Sequence, residues 1–217
     1  MSGSARPWLP ALAALAMLAG CSRQAPVSPH AEWVIHSRIV FLMQDLTTAR
    51  AALPLSQFRL VFPYIAGDLY GAPTTGDFVQ PVLGADYRLD MDLNASLPAL
   101  LVSLEPTDFS LPNLTIEPSQ ARIARLAPMA LEPDGIEQVG RVEWVDSATR
   151  QPLMLLYVDR AARLSGEIDT AEKPLRYDLR MAAPGYYWVA RQTSQDGDIY
   201  RVVPWPSQVL LAITPLK

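Results

Sequence analysis

Three side chains could head a metal site: His30, His36 and Cys21, the only residues of their types in the chain. Zinc asks for three or four such ligands, so carboxylates would have to be recruited. His30 lies in a polar, proline-bearing stretch, and packing inside a strand is the expected fate of His36. Nucleophilic chemistry is no better provided for. The chain has neither a Gly-x-Ser-x-Gly elbow nor a Ser-x-x-Lys pair. His36 and Ser37 are neighbours in an expected strand, which sends them to opposite faces and keeps a Ser–His pair from forming.

Carboxylates gather at Asp86, Asp90 and Asp92, with Asn94 and Arg88 among them. Calcium needs oxygens that converge, and a straight strand supplies them poorly. A wet strand face balanced by Arg88 is the plainer reading. Asp196-Gly197-Asp198 has the residue types of a calcium loop, but a tight turn demands the same ones. The aromatic residues Tyr186, Tyr187, Trp188, Tyr200 and Trp205 crowd one region. Core packing is favoured for them. The alternative is a binding surface of Tyr186, Trp188, Tyr200 and Trp205, since exposed aromatic patches mark sugar, peptide or protein contacts.

These residues sit in segments with the period of β-structure. Tyr87–Asn94 alternates four apolar with four polar residues, and Leu175–Met181 repeats the pattern. Denser apolar runs at 39–43, 59–65, 100–104, 153–158 and 209–213 suit strands buried on both faces. Asp146-Ser147-Ala148-Thr149 marks a hairpin between 142–145 and 153–158. Pro184-Gly185 and the Asp196-Gly197 turn make the last forty residues an expected antiparallel meander. Helix signals are weak: 45–53 fits a short helix, and 119–126 either a helix or an irregular strand.

The fold expected is mainly β, an antiparallel β-sandwich (immunoglobulin-like or related) with one or two short helices. Twenty prolines support it, because they break helices and central strands and imply many element ends. Residues 32–217 read as one domain, and the proline-rich stretch 112–136 is where it would divide. A net charge of −4 without any basic run argues against nucleic acid as a partner.

The lone cysteine has its explanation upstream. Arg6 gives residues 1–20 a thin positive start, an apolar stretch runs from Trp8 to Leu18, and small residues precede Cys21. Leu18-Ala19-Gly20-Cys21 resembles the lipobox of bacterial lipoproteins. That resemblance covers residues 1–22 and implies cleavage between Gly20 and Cys21, a diacylglyceryl group on the sulfur and an acyl group on the new amine. Covalent lipid aside, no cofactor is expected. Ser22 beside the cysteine implies, by the same resemblance, sorting to the outer membrane of a Gram-negative cell, facing the periplasm. Residues 21–31 then form a short extended tether that holds the domain near the membrane.

The expected function is a non-enzymatic accessory, structural or partner-binding module of the cell envelope, with an envelope protein as its partner. A glycan- or lipid-binding module is the alternative, and an envelope enzyme with a carboxylate-based site the third.

Overall fold

The computed structural model describes residues 33–42, 55–66, 82–84, 86–94, 113–135 and 137–216. Residues 1–31, expected to be signal and tether, the expected helix at 45–53 and the apolar run at 100–104 lie outside the described residues. Among the described residues fifteen strands form one connected sheet. In chain order they are β1 (Val34–Phe41), β2 (Arg59–Val61), β3 (Tyr64–Ala66), β4 (Val82–Leu83), β5 (Arg88–Asp92), β6 (Leu114–Glu117), β7 (Ile123–Leu126), β8 (Met129–Leu131), β9 (Gln138–Asp146), β10 (Pro152–Val158), β11 (Ala162–Ile168), β12 (Leu175–Met181), β13 (Gly185–Ser194), β14 (Gly197–Val203) and β15 (Val209–Pro215). A 3-10 turn spans Leu55–Gln57.

The main run of neighbours is β4-β5-β1-β15-β9-β10-β13-β14-β12-β11-β6. Alternation decides the wet strands as expected: Leu89 and Met91 of β5 point inward while Arg88, Asp90 and Asp92 stay exposed. Of the dense runs, 153–158 and 209–213 are buried on both faces. In β10, Leu153, Leu155 and Tyr157 enter one apolar cluster while Leu156 and Val158 enter another; in β13, Tyr186 and Trp188 separate from Tyr187 and Val189 in the same way. Two clusters therefore lie on opposite faces of the sheet, and β10 and β13 serve both.

The sheet curls around the first cluster. Strands β1 and β13 are four steps apart, about 19 Å in a flat sheet. Trp33, beside β1, nevertheless meets the Tyr186 ring edge-on at 5.3 Å.

Several expectations need correcting. The sheet is not purely antiparallel, because β1 pairs with β15 and β12 with β14 in parallel. The meander fails for the same reason: only the β13–β14 hairpin forms, and β14 slots between β13 and β12. Pro184-Gly185 thus links strands that are not neighbours, and β15 goes to the far side of the sheet beside β9. Of the two readings of 119–126, the strand is the one that forms: a turn leads into β7. Within the proline-rich stretch, β6 pairs with β11, β7 with β10 and β8 with β9.

Candidate functional site

Two of the four aromatics considered as a surface are core. Tyr186 is 0% exposed and Trp188 1%. The Tyr186 hydroxyl is within 2.7 Å of the Tyr64 hydroxyl and donates to the Leu93 carbonyl at 3.4 Å. Trp188 packs edge-on against Trp144 at 5.6 Å and Trp205 at 5.8 Å. A solvent-facing stripe including Tyr186 and Trp188 therefore does not exist: the curl that brings β1 towards β13 closes over them. Tyr200 and Trp205 are half-buried, and each opens onto a recess of its own.

Trp205 lies in the loop between β14 and β15. With Pro206, Ser207, Gln208 and His36 it lines a hollow of about 290 Å³. His36 is exposed rather than packed, and its Nδ1 lies 2.7 Å from Asp90 Oδ1 on the neighbouring strand. The register explains the pairing, since His36 stands directly opposite Asp90.

Tyr200 lines a larger groove, created by a fork in the sheet. The chain turns at Asp146, whose carboxylate accepts hydrogen bonds from the Ala148 and Thr149 N–H groups at 2.7 and 3.2 Å. Strands β9 and β10 leave this expected hairpin paired at Val145–Pro152 and Trp144–Leu153. They then part. β9 takes β8 as its neighbour and β10 takes β7, with the Ala127-Pro128 bend between those two strands spanning the gap. Proline suits that bend because it gives no N–H to a ladder.

The fork groove has a volume of about 500 Å³. Arg125 of β7, Arg141 of β9 and Arg191 of β13 line it, together with Glu143, Tyr200 and an apolar floor that includes Met154 and Val189. Arg141 bonds Glu143 at 2.8 Å. Tyr200 stacks on Tyr177 with ring centroids 4.8 Å apart, and burial raises its phenol above the ordinary value.

Behind Tyr200 sits Asp198, 0% exposed, its carboxylate between Lys173 at 2.7 Å and the guanidinium of Arg191. The hydrogen bond from Lys173, aided by Arg191, holds Asp198 down to about 2 against the desolvation that opposes it. Asp198 is thus a buried counter-ion that aims Arg191. Its chain neighbour Gly197 has φ +130°, and a Cβ there would lie 2.7 Å from the Pro174 carbonyl. The turn reading of Asp196-Gly197-Asp198 agrees with this geometry, and Asp198 pairs with the side chains of Lys173 and Arg191.

Sequence reasoning singled out Tyr200 but missed its surroundings. Arg125, Arg141 and Arg191 carry no local signal, because strands distant in sequence bring them together. Among the described residues no group of three His, Cys, Asp or Glu side chains is placed to hold a metal ion. No protein-family model matches the chain, and no curated protein or solved structure shows significant similarity to it.

Proposed function

We propose that the protein is a lipid-anchored, periplasm-facing module of the cell envelope whose β domain engages an envelope protein rather than catalysing a reaction. The observation that carries this reading is the run Leu18-Ala19-Gly20-Cys21 behind its apolar stretch. One acyl chain binds a bilayer only marginally, whereas two or three make anchoring effectively permanent. Outer-membrane residence follows from Ser22 under the same reading.

The topology supports a defined posture for such a module. The tether leads into β1, an interior strand between β5 and β15. The end of the sheet where β1 starts also carries the 204–208 loop, the end of β5 and the Asp146 hairpin. That end faces the membrane in this reading, and the partner is met on the parts of the domain turned away from it. The two apolar clusters on opposite faces of the sheet support a relative of the β-sandwich, though not an immunoglobulin-like one in particular.

Metabolic labelling with an alkyne analogue of palmitate tests the anchor. Label is expected on the wild-type chain, which sediments with membranes. The Cys21→Ser chain should carry no label and leave the membrane fraction. An unlabelled wild-type chain would sink the anchor, and a detergent-solubilised chain that reproducibly retains no envelope protein would sink the partner.

A second reading, a glycan-binding module, is favoured by the Trp205 hollow. There an aromatic ring lies beside Ser207, Gln208 and His36, which can bond hydroxyl groups. Quenching of tryptophan fluorescence by soluble glycans, lost in Trp205→Ala, would favour it over the first.

A further inference from the structure

We infer that the fork groove between β9 and β10 binds a small organic anion, a carboxylate or phosphate group carried on an apolar body. The groove is positive within an acidic chain: three arginines and one glutamate line it, while the whole chain has a net charge of −4. The three cations come from separate strands, β7, β9 and β13, and they converge. Tyr200 lies within electrostatic reach of Arg191 and Arg125, and also of Asp198 and Glu143.

Arginine is the residue that fits a planar or tetrahedral oxyanion, because its donors form a rigid fork. A guanidinium has five N–H donors, and one carboxylate partner occupies at most two of them. Arg141 on Glu143 and Arg191 on Asp198 thus keep donors for a further acceptor. Asp198, wholly buried, fixes the direction of Arg191 without entering the groove lining. A cation held in place before the ligand arrives loses little freedom on binding.

The remainder of the lining sets the body of the ligand. Ile65, Met129, Met154 and Val189 give an apolar floor beside the cations. Methionine adapts to irregular shapes, which suits a chain or ring rather than one rigid outline. The volume of about 500 Å³ falls in the range of small-molecule sites, roughly 300–1,000 Å³.

Equilibrium dialysis of the detergent-solubilised full chain, blanked with detergent alone, tests the assignment. The probes are 4-phenylbutyrate and phenyl phosphate, with 4-phenylbutyramide as the neutral counterpart. At least one anion should bind about tenfold tighter than the amide, as a charge-assisted hydrogen bond implies. Which anion wins separates carboxylate from phosphate ligands. Arg141→Gln, at a side chain 73% exposed, should leave the fold intact by circular dichroism and weaken the preferred anion several-fold. Arg125→Gln should do the same, and added salt should weaken binding further. Equal affinity for acid and amide, no binding of either anion, or affinity unchanged in both variants would overturn the inference. The Cys21→Ser chain should bind as wild type, so a failed anchor and a failed groove are read apart.

Discussion

Asp198 shows how much a single side chain can organise without touching solvent. A buried carboxylate persists only if cations offset its lost hydration, and Lys173 and Arg191 do so from the loop before β12 and from β13. Its pKa is held down to about 2, against an ordinary value of 3.8. The folded state therefore binds this proton less readily than the unfolded chain does. Its contribution to stability is complete above the ordinary value and disappears as the pH falls towards 2. Asp198→Asn should lower the melting temperature at neutral pH. It should also flatten the loss of stability between about pH 4 and pH 2, as followed by thermal denaturation across that range. An unchanged acid limb would mean that other carboxylates set it. Trp188 is the apolar counterpart, fully enclosed between Trp144 and Trp205. Trp188→Ala should cost about 3–5 kcal/mol in urea denaturation, the range for deleting a buried large aromatic. A loss under about 1 kcal/mol would return Trp188 to the surface.

At the scale of elements, β6, at the end of the run of described strands, depends on one glycine of its neighbour. Gly166 of β11 has φ +143° and stands opposite Leu114. A Cβ at that position would lie 1.9 Å from the Asn113 carbonyl oxygen. Gly166→Ala should therefore push β6 off the sheet and expose Leu114 and Ile116, now buried against the second apolar cluster. Hydrogen exchange should accelerate across 114–117 while 153–158, in the middle of the sheet, stays protected. Equal exchange in both forms would show that β11 can shift to accommodate the methyl group. How legible each element was depends on where its information lies. Leu89 and Met91 against Arg88, Asp90 and Asp92 declare a half-buried strand within five residues, and β5 follows. Asp146 declares a hairpin because its own carboxylate closes the turn. Residues 175–181 declare a strand equally well, yet nothing local says that it pairs with β14 in parallel instead of with β13. The same limit hid the groove, since Arg125, Arg141 and Arg191 meet only once β7, β9 and β13 are in register.

Across the whole molecule the first and last of the described strands are side by side: β15 lies between β1 and β9, in the interior of the sheet. Pairing strands so far apart in sequence is the costliest kind of contact to form, so such a topology folds slowly. Until β15 arrives, β1 and β9 each present an open edge of the sort that recruits other chains. Alternation could not reveal this arrangement, because the uninterrupted apolar run of β15 says only that both its faces are covered. Its energetic weight can be estimated. Val209, Leu210, Leu211 and Ile213 are each at most 8% exposed. Burying a side chain of that size contributes about 1.5–3 kcal/mol, so the four together contribute about 6–12 kcal/mol. A domain is stable by only about 5–15 kcal/mol in total. A chain ending at Val203 should consequently lose the fold as a whole rather than fray at one edge. Near-ultraviolet circular dichroism should be lost and 138–203 should become open to protease, with the shortened chain prone to aggregate. If 138–203 instead kept a cooperative melting transition without β15, strands β9 to β14 would be a folding unit of their own, and the strand linking the two ends would be an addition to it rather than its keystone.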